Sequence, residues 1–178
     1  MSTFCYAPRV PRSLLAARSA QAPRWLDAVE MRAWRGQLRM SWLLAAAIER
    51  DLRELGLSHP DYYVLVQLSE SPDRRMRMTD LADGIQWSKS RLSHHIARME
   101  ERGLVAREEC NDDARGTFAC LTSAGLRAIE AAAPDHVDSI RRHLLDVLTR
   151  EQLACLGDIS ERVIAHLADD AAPEEPSA

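Results

Sequence analysis

The stretch TDLADGIQWSKSRLSHHIARMEERGLV, residues 79–105, decides how the rest of this chain is read. Thr79 is a suitable N-cap, and Asp80 complements the dipole of a short helix over 80–84. After a turn over 85–87, Ser88 predicts the cap of a longer helix that runs to Arg102. Gly103 stops that helix, and Leu104 supplies the hydrophobic contact of the C-cap. On a 3.6-residue wheel Leu92, Ile96 and Met99 share one side of it. The opposite side is Ser90, His94 and Ala97, flanked by Arg91, Ser93 and Arg98. Between Gln86 and Ala97 there is no acid, while Lys89 and Arg91 are basic; Glu100 and Glu101 stand only at the far end. A helix that enters a major groove N-terminus first needs that end cationic and rich in short donors. Roughly 15 residues at about 1.5 Å each give a rod of about 22 Å, long enough for such a groove. Taken alone, the pattern also fits a solvated amphipathic helix with incidental charges.

The residues that follow shift that balance. Two short strands are predicted over 104–109 and 117–121, joined by a polar loop over 110–116. The loop reads Asn111-Asp112-Asp113-Ala114-Arg115-Gly116. A single arginine at the tip of an extended ribbon is shaped to enter a minor groove, where narrow A·T tracts concentrate negative potential. Asp113, two residues earlier, is placed to hydrogen-bond the guanidinium and fix its aim. Elsewhere an Asp-x-Arg pair is an ordinary surface contact worth under about 1 kcal/mol. Behind a helix-turn-helix it becomes the tip of a wing.

Working outward, a first long helix is predicted over 27–55. Met31, Trp34, Leu38, Trp42, Ala45, Ile48, Leu52 and Leu55 form one stripe, and Gly56 with Leu57 ends it. Pro60 opens a second helix with Tyr63, Val64 and Leu68 on its buried face, closed by Ser71 and Pro72. Beyond the strands, Thr122 starts a helix striped by Leu126, Ile129, Ala133, Val137, Ile140, Leu144 and Val147, with a kink expected at Pro134. Thr149 and Gln152 form a capping box for the last helix, striped by Leu153, Leu156, Ile159, Val163 and Leu167. The fold class is therefore mainly α with a small β-hairpin wing. It is a winged helix-turn-helix (58–121) between N- and C-terminal helices (27–57 and 122–168) that offer more apolar surface than a small winged domain covers. Exposed surface of that kind marks an interface. Residues 1–26 carry arginines and prolines without an acid and read as a disordered basic arm, with Met31 as an alternative start; 169–178 read as a disordered acidic tail.

In this order and spacing, three features resemble the MarR family of bacterial transcription regulators over about residues 27–167. They are Thr79-Asp-Leu-Ala82, the run from Leu92 to Val105, and Asp113-Ala-Arg115 followed by Leu121-Thr-Ser-Ala-Gly125. The resemblance implies a homodimer with its first, fifth and sixth helices interleaved. It also implies that Ser90, Arg91, Ser93 and His94 face bases or phosphates, with Arg115 in the minor groove. Ser88, Lys89, Arg98 and Asp113 complete the expected DNA-binding set. The family often has Thr-Arg where this chain has Ser93-His94, so the base preference of that arginine does not carry over. Many relatives bind small aromatic or phenolic anions, for which Trp34, Trp42, His59, Tyr62 and Tyr63 are the candidate contacts here. The alternative role for those residues is core and dimer packing.

Composition sets the outer limits. The chain has 178 residues, 46% hydrophobic and 28% charged, with a formal net charge of −4. Positive charge must therefore be local if the partner is double-stranded DNA. No apolar run reaches the roughly 18 residues of a membrane span. Absence of an apolar leader points to the cytoplasm and reduced thiols. Cys5, Cys110, Cys120 and Cys155 lack metal-ligand spacing, and His136 and His143 are about 10 Å apart along one helix face, too far for one metal. No cofactor, metal or catalytic residue is expected: GxSxG, HExxH and Walker-type loops are missing. A peroxide sensor of this family would carry its cysteine at the start of the first helix, which Cys5 does not match. The competing reading is a winged domain used only for protein contacts; Lys89, Arg91 and Arg98 favour DNA.

Overall fold

The computed structural model describes residues 23–109 and 116–171. The basic arm up to residue 22, the tail from 172, Cys5 and Cys110 lie outside them. So do the wing-tip residues Asp113 and Arg115. By internal contacts the chain divides into Met1–Arg39 and Met40–Ala178. In the first unit, α1 (Ala28–Glu54) begins at a reciprocal cap. Asp27 Oδ1 accepts from the N–H groups of Val29 and Glu30, and the Asp27 N–H donates to Glu30 Oε2.

In the second unit, α1 ends as its sequence predicts. Gly56 is left-handed (φ 74°), with its N–H on Arg53 O and the Leu57 N–H on Leu52 O. Helix α2 (His59–Glu70) is capped by Ser58 in a box with Asp61, with Pro60 inside its first turn. Tyr63 corrects the expectation of a buried face: it is 52% exposed, because Asp61, Val64, Leu65 and Leu68 turn inward instead.

The sheet has three strands, not two. Strand β1 (Arg75–Arg77) pairs antiparallel with β3 (Thr117–Leu121), which pairs with β2 (Val105–Glu109) in the order β1-β3-β2. Because the chain passes directly from β1 into α3 (Met78–Gly84), Thr79 is not the N-cap. Arg77 occupies that position, and the Thr79 hydroxyl donates to Asp80 Oδ1 instead. Gln86 bridges to α4 (Lys89–Glu101) in the left-handed region (φ 54°), its side-chain amide donating to Asp83 O.

Helix α5 (Ser123–His143) is capped by Thr122 and contains Pro134. It stops short of the predicted stripe: Leu144 breaks it, and Leu145–Val147 form a 3-10 turn with Val147 exposed. The Thr149–Gln152 box then opens α6 (Arg150–Ala171) as predicted. The core joins Val64, Leu65 and Leu68 of α2 to Leu81, Leu92, Ile96, Met99, Val105, Ala119 and Ile129. Asp51 on α1 fastens α5 through three donors, Ser139 Oγ at 2.7 Å, Arg142 Nη2 at 2.7 Å and His143 Nε2 at 2.8 Å. Hydrogen bonds from Ser139 and His143, with the Arg142 charge, hold its carboxyl well below the usual range. Among the described residues no helix is long and apolar enough to cross a membrane.

Candidate nucleic-acid interface

Helix α4 is anchored by one face and open on the other. Leu92, Ile96 and Met99 are buried, as their spacing predicts. Ser88, Lys89, Ser90, Arg91, Ser93, His94 and Arg98 are all exposed. The start of the helix is fixed by the Arg91 N–H donating to Ser88 Oγ (3.2 Å). Its end is fixed by Gly103 (φ 71°) and the Leu104 N–H on Met99 O. The open face therefore presents cations and short donors at a rigid N-terminus with no acid in its first turn.

Sequence reading missed the groove beside that face. A concavity of about 350 Å³ is lined by Arg77, Met78, Thr79, Lys89, Ser93, Arg107, Gly116 and Thr117. It brings the start of α3, the face of α4 and the base of the wing together around three cations and no acid. Arg107 Nη2 donates to Ser93 O (2.7 Å), tying the wing to α4. Arg75 and Arg77 lie 4.9 and 5.5 Å from the Phe118 ring centroid, so β1 adds cation–π-held charge to the wing. The charge run RRMR at 74–77 was the available signal, but nothing local marks it as a strand.

A second missed group lies behind α4. His95 is 6% exposed and Asp61 3%. His95 Nε2 lies 3.0 Å from Asp61 Oδ1, though off the line of its N–H, so the contact is a bent one between ring and carboxylate and not a linear hydrogen bond. Arg102 Nη1 donates to Asp61 Oδ2 (2.7 Å), and its Nη2 donates to Gly56 O (2.6 Å). On the other ring nitrogen, Arg98 Nη2 stands 3.1 Å from His95 Nδ1. Trp87 meets His95 edge-on (5.3 Å, 88°), and Arg91 lies over the Trp87 ring at 4.0 Å.

The ligand candidates are only partly assembled. His59 and Tyr63 meet at a tilt with centroids 4.7 Å apart (50°); Tyr62 meets His136 of α5 likewise at 4.0 Å (42°), a residue not predicted for this role. Burial lowers the pKa of both histidines, so neutral rings line this surface at neutral pH. Trp42 is 70% and Trp34 55% exposed. Tyr63 also borders a cavity of about 300 Å³ with Gln67, Gly84, Ile85, Gln86 and Trp87.

The surroundings of Cys120 on β3 keep its thiol protonated. Burial, with the hydrogen-bonding Glu108 carboxylate, pushes its thiol up to about 11. At pH 7.5 its alkylation is expected to be far slower in the folded protein than in the urea-unfolded chain, measured by mass spectrometry of the Cys120 peptide. Equal rates would contradict this assignment.

Helix-turn-helix, three-stranded wing and the exposed basic face of α4 together define a winged-helix DNA-binding protein. The chain belongs to the MarR family of transcriptional regulators. The MarR family model matches residues 55–116. The transcriptional regulator HosA of Escherichia coli is 33% identical over 96 residues, covering 54% of this chain and 69% of the relative. The crystal structure of AbsC, a MarR family regulator from Streptomyces coelicolor, is 48% identical and superposes with a TM-score of 0.79 over 83% of this chain and 99% of that one. Sco3205 from the same organism, solved in complex with DNA, is 44% identical with a TM-score of 0.78, covering 88% and 96%.

Proposed function

We propose that this protein is a homodimeric repressor that reads a pseudo-palindromic operator, each α4 in a major groove and each Arg115 wing in a minor groove. The observation that carries this reading is the exposed, acid-free N-terminal face of α4, held rigid by Ser88 and by the buried Leu92, Ile96 and Met99. Ser88, Lys89, Ser90, Arg91, Ser93, His94 and Arg98 supply the contacts, with Asp113 steadying Arg115. The DNA-bound state of the 44% identical Sco3205 supports it. Dimerisation through 27–57 and 122–168 is supported by large apolar side chains left open on the single chain. They are Trp42 (70% exposed) and Leu43 (61%) on α1, with Ile159 (56%), Val163 (51%), Ile164 (65%) and Leu167 (60%) on α6. A small aromatic or phenolic ligand weakens binding by favouring a dimer whose reading helices are wrongly spaced. The cavity between Tyr63 and Trp87, against the turn that launches α4, supports that coupling.

Selection from random DNA by the purified dimer tests the reading. The expected motif has twofold symmetry, with half-sites about 10 base pairs apart. Arg115→Ala is expected to weaken binding to the selected site by about 1–3 kcal/mol. Arg91→Ala should also weaken it at matched salt, and wild-type affinity should fall steeply with salt. A folded dimer that enriches no motif would instead be a winged-helix module for protein contacts.

A further inference from the structure

We propose that His95, a buried residue that DNA does not reach, is the positioning residue for Arg98 on the reading face of α4. The inference rests on α4 being the DNA-reading helix and adds a component behind it. At this position an apolar side chain would pack beside Leu92, Ile96 and Met99, so the imidazole needs a reason. The reason is that both ring nitrogens face charge.

Asp61 Oδ1 stands 3.0 Å from Nε2, off the N–H line, and a carboxylate this close favours the proton on that nitrogen because a bare lone pair there would face it. Arg98 Nη2 stands 3.1 Å from Nδ1, and a guanidinium is only a donor, so Nδ1 must offer a lone pair. Both neighbours select the same neutral Nε2–H tautomer. Asp61 is itself held by the Ser58 N–H and by Arg102, and the Trp87 indole stands perpendicular to the ring. The imidazole thus sits in a fixed frame and passes that order to an exposed arginine. A free arginine loses much rotamer freedom on binding, and one already restrained loses less.

The test uses the full-length dimer and its selected operator at fixed salt. His95→Leu is expected to weaken operator binding about three- to tenfold, the worth of one ordinary hydrogen bond. Arg98→Ala should do the same, and the double variant should bind no more weakly than Arg98→Ala alone. His95→Asn should recover most of the loss, because its Oδ1 falls near the position of Nδ1. Leu and Asn both give up the Asp61 contact, so their difference isolates the atom facing Arg98. In the DNA-free protein, the imidazole 15N shifts of His95 should report a protonated Nε2 and a bare Nδ1 at pH 7.5. Unchanged affinity of His95→Leu, additive losses, or the opposite tautomer would overturn the proposal. Should His95→Leu fail to fold, His95→Asn is compared with His95→Gln, whose amide turns to Asp61 and leaves the Nδ1 position empty. Asn binding more tightly than Gln supports the proposal, and equal binding overturns it. A wild-type dimer that selects no DNA overturns the DNA-reading assignment itself, while the tautomer remains separately readable.

Discussion

Gly125→Ala is expected to destabilise the protein by at least about 3 kcal/mol, at the upper end of what overpacking costs. Helix propensity argues the opposite sign, since alanine inside a helix is favoured over glycine by about 1 kcal/mol. Geometry decides between them. A Cβ on Gly125 would lie 2.1 Å from Leu104 O and 2.8 Å from Leu121 Cδ1. The Leu121 methyl can move, but the carbonyl cannot move freely. Leu104 O accepts from the Thr122 N–H (3.2 Å), and Thr122 Oγ1 in turn accepts from the Gly125 N–H (2.9 Å). Opening this junction therefore separates α5 from the link between α4 and β2 and loses a helix cap as well. The comparison is Gly84→Ala, whose Cβ would meet only the flexible end of Gln67 at 3.4 Å; it should change stability by less than about 1 kcal/mol. Urea unfolding at one protein concentration measures both, since the stability of a chain that self-associates depends on concentration. A Gly125→Ala protein as stable as wild type would show that the junction yields without cost.

That junction also shows what a sequence can and cannot reveal here. The glycine in Leu121-Thr-Ser-Ala-Gly125 is visible as part of a family pattern, but its reason, a carbonyl 21 residues upstream at Leu104, is not. Features fixed within one helical turn were legible. Ser88, Gly103 with Leu104, Gly56 with Leu57, and Thr149 with Gln152 all act where their spacing predicts. Leu92, Ile96 and Met99 mark the buried side of α4 because periodicity reports facing directly. Strand β1 was not legible: three residues, two of them arginine, become a strand only because β3 pairs with them. Its discovery removes Thr79 as a cap and adds Arg75 and Arg77 to the basic surface. Tyr63 was misplaced because α2 has inward positions 61, 64, 65 and 68, which leave 63 outside. The group behind α4 was hidden for a similar reason, since Asp61 and Arg102 are 41 residues apart and the local Ser58–Asp61 box reports neither Arg102 nor His95.

Asp61→Ala is expected to cost about 3–5 kcal/mol, the range for breaking a buried charge pair by removing one partner. The lower part of that range applies, because Arg102 is 43% exposed at its side chain and can turn to water, whereas the Asp61 side chain is only 4% exposed. Three contacts are lost together: the Ser58 N–H at 2.8 Å, Arg102 Nη1 at 2.7 Å and His95 Nε2 at 3.0 Å. The first is half of the α2 capping box, and the other two hold the inner side and the end of α4. The same contacts set the pH dependence. Burial by itself would raise the Asp61 pKa, but His95, the Ser58 backbone and Arg102 together outweigh it and hold the carboxyl well below its ordinary value of 3.8. A carboxylate depressed in the folded state contributes stability that is present in full above the unfolded pKa. That stability is lost as pH falls through the folded one. Asp61→Asn should therefore be clearly less stable than wild type at pH 7, with the gap narrowing as pH drops below about 4. Urea unfolding from pH 7 down to pH 3 measures it. A gap that stays constant over that range would mean the carboxylate charge contributes nothing and only its shape is used. In that case the ionic frame behind the reading helix would have to be abandoned, and with it the reason α4 keeps a histidine on its buried side.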